Sequence, residues 1–180
     1  MKQYELAVYG GAFNPPHPGH KSVIDFLLSQ AEKVVIVPSF KHPFAKKMAD
    51  YELRLKWSEI MIRPYSKKNV SVSDAERYLG RSNQPIYSID LLRHLRQMTG
   101  IDGKAIALVM GEDNEKIFPQ FQGYQSIVDE FSVLFAQEIL HLHSTMIRDA
   151  IKLQDSIPES WIIPGINPSE YEVFKETALA

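Results

Sequence analysis

Short runs rich in β-branched and aromatic residues alternate along this chain with stretches of helical period, and that alternation leaves few folds open. The strand-like runs are Tyr4 to Tyr9, Lys33 to Val37, Asn69 to Val72, Lys104 to Met110 and Phe131 to Phe135. Between them, Ser22 to Gln30, Tyr51 to Ile62 and Ile89 to Met98 repeat apolar residues at helical spacing, as in Leu53, Trp57, Ile60 and Met61. Strand, helix and strand in succession predict an α/β fold with an open parallel sheet and crossover helices. A further helix is expected from Ser144 (STMIRDAIKL), with Ser or Thr capping its first turn. The tail SEYEVFKETALA reads as a last amphipathic helix after the turn WIIPGINP.

The chain has 180 residues and 44% hydrophobic content, which suits one domain over residues 1–180 with a helical C-terminal segment from about 144. Twenty Lys and Arg against 22 Asp and Glu leave a net charge of -2, so no global basic field points to nucleic acid as a partner. A small anionic ligand would need local positive charge instead. The absence of Cys removes disulfides, thiolate metal sites and a cysteine nucleophile together. No apolar run approaches the roughly 18 residues of a membrane span, and a soluble, cytoplasmic protein is expected. Homo-oligomer formation is left open.

In an open parallel sheet the turn from the first strand into the first helix presents amides and a positive dipole end, and phosphate is the usual guest. Here that turn reads Gly10-Gly-Ala-Phe-Asn-Pro-Pro-His-Pro-Gly-His20. Gly10 and Gly11 allow close backbone approach, and three prolines stiffen the path. Neither G-x-G-x-x-G nor G-x-x-x-x-G-K-[ST] fits the segment. It offers two histidines instead. His17 and His20, three apart, would stand roughly 4.5 Å apart along a helix axis on a shared face, in reach of one ligand. Three readings stay open on this spacing: capping or packing, a metal pair, and phosphate contact. The long polar and basic segment Pro38 to Asp50 follows a strand and is a candidate lid over a ligand.

These residues resemble the nucleotidyltransferases with an H-x-G-H signature, here His17-Pro-Gly-His20. STMIR at Ser144 to Arg148 is similar to that superfamily's second, S-T-x-x-R phosphate signature. VSVSDAE, PIYSIDLLRHLR, GEDN at Gly111 to Asn114 and IPESWIIPGINPSEYE follow in the order of the nicotinate mononucleotide adenylyltransferases, so the resemblance covers essentially the whole chain. It implies a Rossmann-like nucleotidyltransferase fold. It also implies a reaction of ATP, with Mg2+ as its cofactor, and nicotinate mononucleotide or its amide, giving the dinucleotide and pyrophosphate in NAD synthesis.

Site roles follow from the same resemblance. His17, His20, Lys46 and Arg148 take the catalytic, phosphate-contacting places, with Lys41 and Lys47 as rivals of Lys46. Gly10, Gly11, Ala12, Phe13, Gly111, Asp113, Ser144 and Thr145 fall to ATP, and Asn14, Tyr87, Ser88, Phe118 and Phe121 to the mononucleotide. Two departures bear on the pyridine ring. Phe121 stands where the bacterial acid-specific members place a stacking Trp, and KHPFAKK replaces a proline-His-Lys element.

The residue types suit adenylyl transfer, which needs positioning and charge neutralisation more than covalent chemistry. An imidazole can donate from one nitrogen while a neighbour fixes the other, and protonation would add charge. Arg148 can offer a bidentate fork. Plainer expectations stand beside these. Asp113 and Asn114 would cap a following helix, Phe118, Phe121 and Tyr124 at helical spacing would be core, and Lys46 and Lys47 would be an ordinary basic loop. His141 and His143 alternate as on a strand and receive no role. Competing functions are another H-x-G-H enzyme such as a pantetheine phosphate adenylyltransferase, a nucleotide sensor without turnover, and a metal-dependent hydrolase.

Overall fold

The structure is a computed structural model that describes residues 1–41, 47–80 and 85–176. Five parallel strands form one sheet in the order β3-β2-β1-β4-β5, with β1 at Tyr4–Gly11, β2 at Ala31–Pro38, β3 at Val70–Val72, β4 at Ile106–Gly111 and β5 at Ser132–Ala136. Every pairing is parallel, with Gly11 beside Pro38 and Gly111 beside Ala136 at the carboxyl ends. From β1 the chain winds outward through β2 to β3, then returns to β4 on the other side and continues to β5. The crevice beyond β1 and β4 is therefore the topological switch point, where open α/β sheets bind ligands.

The central strands are buried on both faces, and alternate residues serve opposite layers. Ala7 and Val109 point into the layer built with helices α1 (Pro18–Gln30) and α2 (Tyr51–Ile62); Leu6, Val8, Ile106 and Leu108 point into the layer built with α4 (Ser88–Thr99) and α5 (Tyr124–Glu130). Between these lies the short α3 (Ala75–Leu79).

Several boundaries differ from the sequence reading. Helix α1 starts at Pro18, four residues before the apolar period becomes visible, because proline suits the first helical position and His17 caps it. Lys104 lies in a 3-10 turn (Gly103–Ala105) ahead of β4. The expected amphipathic tail is a 3-10 helix (Pro168–Glu172) and a single turn, α7 (Val173–Glu176), with 177–180 outside the described residues. Tyr171 and Phe174, three apart, both pack their rings on the buried Trp57, with centroids at 5.5 and 5.9 Å, so the segment is fixed by packing and not by a long helix. The expected STMIR helix, α6, spans Ser144–Lys152.

Candidate active site

The loop leaving β1 carries two uncommon backbone features. Phe13 has φ 47, in the left-handed region that a bulky residue rarely adopts, and the Asn14–Pro15 peptide is cis. The Phe13 side chain is fully buried, edge-on to Tyr9 and 4.8 Å from the His20 ring. The side chain is thus a floor beneath His20, and any contact of this residue with ATP would fall to its backbone.

His17 and His20 close the first turn of α1 on each other. Gly19 N donates to His17 Nδ1 and His17 N donates to His20 Nδ1, each at 3.0 Å, a capping box in which imidazoles replace the usual hydroxyl and carboxylate. With Nδ1 accepting, the proton of each neutral ring must sit on Nε2, which remains as its donor. The rings lie 3.8 Å apart between centroids, tilted by 33°. Burial, and the positive charge that nearby His143 would carry, push the His17 imidazole down to about 4; burial and His17 hold His20 well below the usual histidine range. The free protein therefore offers two neutral N–H donors, and the added charge expected from protonation is not present. Nor does α1 offer first-turn amides, since Pro18 has none, Gly19 N is taken by His17, and His20 N donates to the His17 carbonyl at 2.9 Å. Gly19 is required here, because a Cβ would come within 2.7 Å of the His17 ring.

Helix α6 reaches the same loop from the other side. Ser144 Oγ donates to the Pro15 carbonyl at 2.8 Å, and Arg148 Nη1 donates to the Asn14 carbonyl at 2.7 Å while Nη2 reaches Thr145 Oγ1 at 3.1 Å. The expected Ser or Thr cap is thus corrected: His143 is the N-cap residue and makes no side-chain cap, and Ser144 faces the loop. The amides of Ser144 and Thr145 remain at an open helix end.

Between the two helices lies a cleft of about 690 Å3, lined by His17, His20, Gly111, Asp113, Ser144 and Thr145 among others. Six of the expected site residues, from three distant stretches of sequence, thus meet in one space. Gly111 ends β4, and a Cβ there would strike Asp113 Oδ1 at 2.6 Å, so the glycine lets the carboxylate fold back over the strand end. Asp113 and Asn114 sit in a 3-10 turn (Glu112–Asn114) with no side-chain cap, which sets aside their capping reading.

Other expected residues stand elsewhere. Gly10, exposed, and Gly11, half-buried, end β1, and the half-buried Ala12 follows. Asn14 is 4% exposed and its Oδ1 accepts from Ala49 N at 3.0 Å, so that atom joins two loops. Phe118 is 6% exposed and enclosed by the rings of Phe121, Tyr124 and Phe135, as its plainer reading as core expects. Phe121, half-buried above it, and Tyr87 and Ser88, at the start of α4, do not line the cleft. They share a neighbourhood: Gly123 lies against Ile89, where a Cβ would come within 2.7 Å. Lys46 lies outside the described residues; Lys41 and Lys47 are exposed.

Two features escaped the sequence reading. His143 lies in a loop, not on a strand, lines the cleft, and pairs through Nε2 with Glu138 Oε1 at 2.9 Å. Arg54 is 1% exposed and donates to the carbonyls of Ala49, Ala12 and Ser39 at 2.8, 3.0 and 2.7 Å. Its signal was present, since position 54 shares a helix face with Trp57, Ser58 and Met61, where a charge is out of place.

The cytidylyltransferase-like family matches residues 8–152. A protein of Sulfurimonas denitrificans, named a probable nicotinate-nucleotide adenylyltransferase, is 30% identical over 82% of this chain and 86% of its own length. One of the same name from Nitratiruptor is 31% identical over 68% of this chain and 67% of its own. Among solved structures, that of a candidate nicotinate-nucleotide adenylyltransferase from Vibrio parahaemolyticus superposes with a TM-score of 0.75 at 29% identity, covering 97% of this chain and 99% of that one. The Plasmodium falciparum nicotinic acid mononucleotide adenylyltransferase complexed with NaAD shares the fold, with a TM-score of 0.68 at 15% identity over 98% and 95%. The signatures that converge on the cleft and the relatives spanning most of the chain agree: this chain belongs to the cytidylyltransferase-like family and, within it, to the nicotinate-nucleotide adenylyltransferases.

Proposed function

We propose that this chain joins ATP to nicotinate mononucleotide, releasing pyrophosphate and forming the dinucleotide of NAD biosynthesis. The observation that carries the reading is the pairing of two imidazole Nε2–H donors with the open end of α6 across one cleft at the switch point. The attacking group is the 5'-phosphate oxygen of the mononucleotide, the bond broken joins the α-phosphorus to pyrophosphate, and no covalent enzyme intermediate is needed. Neutral imidazoles suit that role: they donate to phosphate oxygens without first losing hydration as cations, and the approaching anion itself favours their protonation as charge moves to the leaving group.

Among the described residues no group of three His, Asp or Glu is arranged to hold a metal ion. Mg2+ is proposed to come with ATP and to need few protein ligands, since it keeps most of its water. Tyr87, Ser88 and Phe121 are proposed to hold the pyridine nucleotide. The first turn of α4 has no side-chain cap on its amides, which suits a carboxylate and favours nicotinate over nicotinamide.

Purified protein with ATP, Mg2+ and nicotinate mononucleotide should release pyrophosphate and dinucleotide in equal amounts, and faster than with the amide. ATP binding without release on any mononucleotide would favour the sensor reading instead.

A further inference from the structure

Arg54 is a buried cation whose hydrogen bonds go to backbone carbonyls, not to a carboxylate. Enclosing a charge is costly unless its donors are matched, and a guanidinium can match several at once because its N–H groups spread in a fixed fan. The three carbonyls belong to separate segments: Ala12 in the loop after β1, Ser39 just beyond β2, and Ala49 ahead of α2. The Tyr51 ring lies 5.5 Å from the guanidinium, and Glu76 approaches the same place while accepting from Phe40 N at 3.2 Å. Burial pushes the Glu76 carboxyl up to about 7, so a firmly ionised partner is not what keeps Arg54 in place.

The segments held by Arg54 lead onward to the site. Ala49 is gripped at both ends of its backbone, its carbonyl by Arg54 Nε and its N–H by Asn14 Oδ1. The Asn14 carbonyl then receives Arg148, and the next carbonyl, Pro15, receives Ser144. A continuous set of hydrogen bonds thus runs from α2 through Ala49 and Asn14 to the guanidinium on α6.

We infer that Arg54 is a positioning residue for adenylyl transfer: by clamping Ala12, Ser39 and Ala49 it fixes the Asn14–Pro15 peptide on which Arg148 and Ser144 are seated. The inference rests on the adenylyl-transfer reading for its effect on rate, though not for its effect on Arg148. A lysine cannot substitute, since it has no Nε to serve Ala49 and its single nitrogen cannot span three carbonyls.

The test compares wild type with Arg54→Lys and with Ile60→Val, a buried control on the same helix. For Arg54→Lys, kcat should fall about 10- to 100-fold, as expected for misplaced reacting groups, while ATP affinity changes less than about threefold. The Arg148 side-chain NMR signal should also move. Ile60→Val should lower the melting temperature without either change. In combination with Arg148→Lys, the Arg54→Lys loss should shrink, since both act through one guanidinium. A kcat within twofold of wild type, an unmoved Arg148 signal, or losses that simply multiply would overturn the inference. If Arg54→Lys does not fold, Asn14→Ala removes the other grip on Ala49 and should give the same kcat loss, with Asn14→Asp restoring much of it because a carboxylate oxygen still accepts from Ala49 N; equal losses in the two would likewise overturn it. A wild-type protein inactive on every mononucleotide would defeat the adenylyl-transfer reading, and the Arg148 signal would still decide the role of Arg54.

Discussion

Two helix ends face each other across the cleft, and they are built in opposite ways. The start of α1 is closed, its amides satisfied by His17 and by the His17 carbonyl, with His20 holding the His17 amide in return, so that it presents imidazole Nε2–H groups. The start of α6 is open, with Ser144 and Arg148 turned to the neighbouring loop and no side chain over its first amides. The sequence suggests the reverse, a phosphate seat of free amides at the Gly-Pro loop and a Ser or Thr cap at STMIR. Residue type alone does not decide where a donor goes: Ser144 has the chemistry of a cap, but the Pro15 carbonyl, 129 positions away, competes for its hydroxyl and wins. The closed end supplies oriented side-chain donors; the open end supplies amides and dipole.

The largest effect is expected where the closed end meets the reaction. His20→Ala removes one Nε2–H donor and should lower kcat by about 10²- to 10³-fold, the range for deleting one preorganised donor. Its lost cap should cost only about 1 kcal/mol of stability. Steady-state pyrophosphate release and thermal melting separate the two, and an unchanged rate would remove His20 from the mechanism.

A smaller effect belongs to proton uptake at His17. Its folded pKa of about 4 lies below the 6.5 of an unfolded histidine, so the folded state binds fewer protons. The stability tied to this difference is fully present above pH 6.5 and is lost as pH falls from 6.5 through 4, up to about 3 kcal/mol. NMR titration should find His17 neutral at pH 6, and its acid limb in kcat/KM for the free enzyme should fall at about 4. A His17 that titrates near 6.5 would mean that burial and the neighbouring His143 do not govern its protonation.

The five strands and the three long helices were legible because period-2 and helical apolar patterns record burial directly. The site was legible wherever a motif is local, as at His17 to His20, Gly111 to Asp113 and Ser144 to Arg148, and all three reach one cleft or the loop beside it. What stayed hidden depends on partners distant in sequence. Arg54 stands on the apolar face of its helix, but the three carbonyls that enclose it come from three separate segments, and His143 carried no signal apart from its place before Ser144. Phe118 and Phe121 share one helical spacing, yet one is enclosed and the other half-buried; which ring is covered is settled by Tyr124 and Phe135, not by period.

The smallest expected effect tests the open end itself. If Ser144 capped α6, Ser144→Ala would loosen the helix start and raise amide exchange at Thr145 and Met146, leaving the β1 loop unchanged. In the structure the hydroxyl serves Pro15 instead, so the same substitution should leave α6 exchange nearly unaltered and loosen the loop around Asn14 and Pro15. The lost bond is worth about 0.5–1.5 kcal/mol, which corresponds to a fall in kcat/KM of about 2- to 10-fold if it is felt in the transition state. Ser144→Thr keeps the hydroxyl and should remain near wild type. At the closed end, by contrast, His17→Ala should speed exchange of the Gly19 amide, whose partner is lost. If Ser144→Ala instead speeds exchange within α6 and spares the loop, both helix ends are side-chain capped, and the cleft must bind phosphate through side chains alone.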